Sequence, residues 1–172
     1  GILGKARYMA PEVVTGTKLP SKQTDRYSLS VVLFLLVYGN HPLEGARVLA
    51  CPCMTEKYEK QFYGSDAVFI YDPQNKSNLP VRGVHNNVMR KWPAFPELLR
   101  TAFIREFSQE CLTNPDKRCL ERDWQKTIQK IRDMLVVCPL CKEGTFVENT
   151  QTPRCVCCGN EFKVAGTLEF ND

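Results

Sequence analysis

No apolar run in the sequence approaches the roughly 20 residues that a membrane-spanning helix needs. The longest, residues 31–38, is less than half of that. A basic-then-apolar leader is also missing, so neither insertion nor secretion is expected, and the expected location is cytoplasmic. Histidine is scarce. His41 and His85 are the only two, His41 abuts Pro42 in a turn, and no Ser or Cys is tied to either by a nucleophile motif, which argues against a hydrolase triad. Charge of one sign is lacking as well. The formal net charge is only +4, with Lys and Arg interspersed among Asp and Glu, so charge alone does not steer the chain toward nucleic acid. There is no internal repeat and no low-complexity segment, and because the chain begins at Gly1 rather than Met it reads as a fragment.

The 172 residues are 43% hydrophobic and 24% charged, which fits one globular domain, or one domain with a small appendage, built around a packed core. Nine cysteines are present. An odd number without a leader fits a disulfide framework poorly and points to a reducing compartment with a metal site.

Residues 24–38 read as a helix that Ser21 and Thr24 can cap and Gly39 can end. From Leu29 onward it is apolar on nearly every face, the pattern of a core helix wrapped by other elements. The turn residues Gly39, Asn40, His41 and Pro42 stop it. Residues 45–96 form a long irregular insert, with a strand-like run at 67–71 and a short helical period at 54–62. Amphipathic helices follow at 95–112, through Leu98, Leu99, Ala102, Phe103 and Phe107, and at 121–136, through Trp124, Ile128, Ile131 and Leu135. The last 35 residues turn to Cys, Gly and short alternating runs at 144–147 and 161–164, which predicts small strands and a boundary after Val137.

That tail carries two C-x2-C pairs, Cys138 with Cys141 and Cys155 with Cys158, thirteen residues apart. Two residues between thiolates let both sulfurs face one ion at a Zn–S distance of ~2.3 Å. The tail has few apolar residues, so coordination must supply folding free energy that a core cannot. Cys157 leaves the ligand set open, since it can replace Cys155 or Cys158, although Cys155 and Cys158 are favoured. Four protein ligands leave no position for water, which makes the zinc structural. The further pair Cys51 and Cys53 reads as two small buried residues in the insert.

Three strings, in order, resemble the C-terminal lobe of eukaryotic-type Ser/Thr protein kinases. Residues 4–12, Gly-Lys-Ala-Arg-Tyr-Met-Ala-Pro-Glu, resemble the end of the activation segment, which closes the peptide-binding loop. Residues 25–29, Asp-Arg-Tyr-Ser-Leu, look like the opening of the family's central lobe helix, and residues 114–118, Asn-Pro-Asp-Lys-Arg, like its Asn-Pro-x-x-Arg turn. The insert, with His-Pro-Leu-Glu-Gly at 41–45 and Phe-Ile-Tyr-Asp-Pro at 69–73, is similar to that of bacterial kinase-like proteins ending in a zinc ribbon.

The resemblance implies a mainly α, partial kinase C-lobe over residues 1–137 and a small β zinc ribbon over 138–172, α+β overall. Lys5, Arg7 and Tyr8 would belong to the substrate loop. Ala10, Pro11, Glu12, Asp25 and Arg118 would be structural motif residues, with Glu12 paired to Arg118 and Asp25 accepting bonds from a catalytic loop upstream. Phosphoryl transfer needs a Gly-rich loop, a strand Lys, a catalytic Asp with its Asn, and a metal-binding Asp, and the sequence contains none of them. Residues 131–133, Ile-Arg-Asp, mimic part of the catalytic string but stand late in a helix, and residues 1–5 lack the glycine spacing of a P-loop. ATP and magnesium therefore belong only to an intact parent kinase, and this chain is expected to be inactive alone. Lys5 also stands where the family commonly has Thr.

Two further readings accompany this one. A pseudokinase scaffold would use the ribbon and insert to recruit a partner protein. A nucleic-acid-binding ribbon is disfavoured by tail charge: Lys142, Arg154 and Lys163 face Glu143, Glu148, Glu161, Glu169 and Asp172, a balance of −2, with few cations near Phe146, Phe162 and Phe170. Because the all-apolar helix lacks upstream cover, self-association or docking with the missing kinase segment is expected.

Overall fold

The computed structural model describes residues 4–148 and 152–163. Within them the chain is mainly helical with one small antiparallel sheet, an α+β architecture. The helices are α1 (Pro11–Val14), α2 (Lys22–Tyr38), α3 (Ala46–Leu49), α4 (Glu56–Lys60), α5 (Asn86–Lys91), α6 (Glu97–Glu106), α7 (Gln109–Thr113) and α8 (Glu121–Asp133). Strands β1 (Leu135–Val137) and β2 (Gly144–Phe146) pair with Val136 opposite Thr145. No helix among the described residues is long and apolar enough to cross a membrane.

Helix α2 organises the body. Ser21 caps it: its Oγ accepts from the Thr24 backbone N–H, while Thr24 Oγ1 accepts from the Ser21 N–H at 2.8 Å. Gly39 ends it at φ +69°, a left-handed conformation that glycine takes without penalty. Tyr27, Val31, Phe34 and Tyr38 recur at helical spacing and are buried. Phe34 lies within 6.2 Å, ring to ring, of Tyr38, Phe69, Trp92, Phe103 and Phe107, so the core is largely aromatic. The helix is not wrapped on every side, however. Asp25, Leu29, Val32 and Leu36 form the opposite stripe and are exposed, Leu36 to 75%.

Three other expectations change. Residues 67–71 are not a strand: Phe69 and Ile70 are buried, but the Ile70 N–H donates to the Pro42 carbonyl and Asn78 Nδ2 to the carbonyls of Leu43 and Val68. Asn78, itself buried, thereby gathers the insert around one amide. Gly45 is required beside it, because a Cβ there would meet the Asn78 carbonyl oxygen at 1.9 Å. The helix expected at 95–112 is broken into α6 and α7 at Ser108, whose Oγ caps α7 by accepting from the Cys111 N–H. Helix α8 stops at Asp133, and Ile128 on it is about half exposed rather than core.

Glu106 is the most deeply buried carboxylate of the body. Its two oxygens accept from Ser30 Oγ at 2.9 Å and the Cys119 N–H at 2.7 Å, and Trp124 Nε1 donates to the same Ser30 hydroxyl. Burial pushes its carboxyl above the usual range, with those hydrogen bonds working in the opposite direction.

Candidate metal centre and the motif residues

β1 and β2 bring the first cysteine pair against the second. The sulfurs of Cys138, Cys141, Cys155 and Cys158 all lie within 4.8 Å of one another. Cys141 and Cys155 are 3.6 Å apart and Cys138 and Cys158 4.0 Å. Four sulfurs arranged tetrahedrally at ~2.3 Å from one ion stand about 3.8 Å from each other, a spacing that these two pairs approach. The four cysteines could hold a metal ion such as zinc.

The two pairs are built alike. In the first, the Lys142 N–H donates to the Cys138 carbonyl at 2.9 Å and the Cys138 N–H to the Glu143 carbonyl at 2.8 Å. In the second, Gly159 donates to Cys155 at 3.0 Å and Cys155 to Asn160 at 2.9 Å. Lys142 and Gly159 both take positive φ, +65° and +74°. This register equates Cys155 with Cys138 and Cys158 with Cys141, and leaves Cys157 exposed outside the cluster. The Cys157 N–H instead donates to Cys155 Sγ at 3.3 Å. Burial opposes ionising Cys155, but the backbone N–H groups of Cys158 and Cys157 and the adjacent thiols outweigh it and push this thiol down, while the neighbouring thiols push Cys141 up. Cys138, Cys155 and Phe162 form the buried apolar cluster of this unit, and buried Thr145 of β2 accepts from the Val156 N–H.

The expected boundary after Val137 falls between paired strands, since β1 precedes it and β2 follows it. Of the run expected at 161–164, Glu161 makes a single bridge with Arg154, while Val164 and Phe170 lie outside the described residues. In the insert, Cys53 is exposed rather than buried, and half-buried Cys51 donates to its carbonyl at 3.2 Å.

In the helical body, Lys5 is exposed and precedes a single 3-10 turn, Ala6–Tyr8. Tyr8 is also exposed, and its carbonyl accepts from Ser28 Oγ at 2.7 Å. Arg7 reaches both oxygens of Glu44, at 2.9 and 3.0 Å, and Tyr63 Oη donates to Glu44 at 2.8 Å. Fully buried His41 joins this group: its Nδ1 accepts from the Leu43 N–H, so Nε2 carries the proton and donates to the Arg7 carbonyl at 2.6 Å. Burial lowers the imidazole to about 4, and the ring is neutral despite Glu44 at 3.9 Å. Lys5, Arg7, Met9, Val13, Glu59 and Tyr63 line a cavity of about 560 Å3.

Ala10 is buried and starts α1, with Pro11 at its first position. Glu12 meets Arg118, 106 residues away, through two parallel bonds: Nη1 to Oε1 at 2.8 Å and Nη2 to Oε2 at 2.7 Å. Arg118 also donates to the carbonyls of Gln23 and Cys111 and lies over the Tyr27 ring, and its side chain is wholly buried. Asp25, by contrast, is exposed in the first turn of α2. The structure thus brings together Glu12 and Arg118, and gathers the four cysteines, while Lys5, Tyr8 and Asp25 remain on the surface.

Sequence reasoning missed Arg90 and Glu148. Arg90 Nη1 donates to the carbonyls of Val156 and Cys157, and Glu148 accepts from the N–H groups of Glu97 and Leu98. Both contacts span 50 residues or more, and no local pattern signals them. No protein-family model matches this sequence, and no solved structure matches the chain.

Proposed function

We propose that the chain is the C-terminal, substrate-side lobe of a bacterial Ser/Thr-protein-kinase-like protein, ending in a ribbon that holds a structural zinc. The observation that carries this reading is the bidentate Glu12–Arg118 pair. It joins the Ala-Pro-Glu string to the Asn-Pro-x-x-Arg turn, the two residues that the resemblance pairs. The cavity bordered by Lys5 and Arg7 supports a peptide-facing wall. Four cysteine ligands fill a tetrahedral shell, and their role is to fold the ribbon rather than to activate water.

The exposed stripe of Asp25, Leu29, Val32 and Leu36 supports an upstream segment, or a second copy, as cover for α2. ATP and magnesium are bound by that intact parent. Lys5, in place of the family's Thr, favours a second reading, a scaffold that recruits proteins without transferring phosphate.

Phosphorylation assays and a Mg-ATP titration, run on this chain and on the chain extended upstream, test the proposal. Background activity for the chain alone and transfer by the extended protein support the enzyme. ATP binding or folding cooperativity without transfer favours the scaffold. Saturable magnesium-dependent ATP binding by the chain alone, or an upstream segment with no kinase-like strings, overturns both.

A further inference from the structure

We infer that Arg90 is a positioning residue of the metal centre, and that Arg90 and Glu148 make the metal-loaded ribbon a clasp on the α5–α6 corner of the helical body. The inference rests on reading the four cysteines as a zinc site.

One arm of the clasp is Arg90. It is exposed on the last turn of α5, and its Nη1 donates at 2.6 Å to the Val156 carbonyl and at 2.9 Å to that of Cys157. These are the two residues between Cys155 and Cys158, so the peptide turn that Arg90 holds is the turn that aims two of the four sulfurs. A zinc ion with four thiolates carries a formal charge of two minus, and a guanidinium on this turn offsets part of it. Helix α5 is itself anchored to the body. Val88 is buried, its carbonyl accepts from Tyr71 Oη, and Lys91 Nζ donates to the Val37 carbonyl at the end of α2. Tyr71 in turn stacks on Trp92, with ring centroids 4.2 Å apart.

The other arm is Glu148, just past β2. Pro96 starts α6 without a side-chain cap, and Glu148 supplies one from outside by accepting from the Glu97 N–H at 2.6 Å and the Leu98 N–H at 3.4 Å. A carboxylate there satisfies donors that the helix cannot and meets the positive end of its dipole. Between the two arms Phe146 of β2 packs against Phe95 with centroids 5.0 Å apart. Because β2 is held by β1 and by the Val156–Thr145 bond, both arms depend on the ribbon's order, and that order depends on coordination. Loss of the metal then uncaps α6 and releases only the Arg90 contact at the end of α5, while α5 keeps its anchors to the body and α2 its own aromatic packing.

The test uses the full chain purified without added metal. Its zinc is quantified, transfer of zinc to a chromogenic chelator is timed, and hydrogen exchange is followed with and without metal. Arg90→Ala is expected to speed zinc transfer about tenfold, the low end for an outer partner of a metal site, given that Arg90 is exposed. Arg90→Lys should restore most of the wild-type rate, because a single nitrogen makes both carbonyl bonds. Zinc removal should raise exchange at the amides of Glu97 and Leu98 and at the C-terminal end of α5, and leave the middle of α2 protected. A full equivalent of zinc, with wild-type transfer from Arg90→Ala or unchanged exchange in residues 86–98, overturns the inference alone. Less than about half an equivalent overturns the metal reading and the inference together.

Discussion

Among the described residues, the helical body closes over a buried cluster that runs from Ala10 to Ile131 and is dominated by Tyr27, Phe34, Tyr38, Phe69, Phe103 and Phe107. The buried apolar cluster of the described ribbon residues is Cys138, Cys155 and Phe162, with Val136, Cys141 and Val147 packed against it. Apolar burial stabilises in proportion to the area removed from water, so the first cluster can hold helices by itself and the second cannot hold strands of three residues. The body fastens its distant segments with charge-assisted hydrogen bonds in a dry interior, whereas the ribbon fastens them with four sulfurs. Two regions of one chain therefore ought to fail under different insults.

Metal removal should separate them most sharply. Structural zinc in small domains contributes on the order of 10–16 kcal/mol of apparent binding free energy, more than a ribbon of this size can replace. Chelation, or Cys141→Ser, should abolish amide protection at Cys138 and Cys155 and across the β1–β2 pair while α2 stays helical. Exchange mass spectrometry after chelation reads both regions at once. A ribbon that remains protected without metal would remove the distinction drawn here.

The converse insult is Arg118→Ala. It strands the Glu12 carboxylate, which is nine-tenths buried, and also leaves the carbonyls of Gln23 and Cys111 without their donor. Breaking one side of a buried ion pair costs about 3–5 kcal/mol, a large share of what a domain of ordinary stability has. Chemical denaturation should show that loss in the body, with zinc stoichiometry unchanged. If Arg118→Ala and Glu12→Ala each leave the unfolding midpoint where it was, the proposed kinase-lobe register is wrong.

What the sequence made legible follows the same division. The cysteine spacing announced the four-cysteine cluster because a knuckle is a local object, two thiols on one turn. It left Cys157 unresolved because the choice depends on hydrogen bonds that pair Cys155 with Asn160 rather than on spacing. Helix α2 was legible from Ser21 and Gly39, its two caps, but its apolar composition could not say which face lacks a neighbour. Phe69 and Ile70 look like strand residues. They are buried without a strand partner because Pro42, 28 residues back, accepts from the Ile70 N–H and the Asn78 side chain takes the Val68 carbonyl. Glu106 looks like a surface residue of an amphipathic helix, and only Ser30, 76 residues away, and Cys119 make its burial tolerable. Arg90 and Glu148 fall in the same class.

The smallest expected effect probes the likeness between the two knuckles themselves. Lys142 and Gly159 occupy equivalent left-handed positions, with the same N–H bond back to the first cysteine carbonyl, yet only one of them is glycine. A side chain in that region crowds the following carbonyl and costs roughly 1–2 kcal/mol, while glycine avoids this and gives back part of the gain through a more flexible unfolded chain. Gly159→Ala should therefore weaken zinc retention by about 1 kcal/mol, or about fivefold in a chelator competition. Lys142→Gly should strengthen it by less than that, since strain relief and unfolded-state entropy oppose each other. The Cβ at Gly159 would meet nothing within 4 Å, so a loss on Gly159→Ala has to come from the backbone and not from a clash. Equal and negligible effects at both positions would mean that coordination, rather than turn geometry, dictates the shape of each knuckle, and that the ribbon depends on its metal even more completely than its thin core implies.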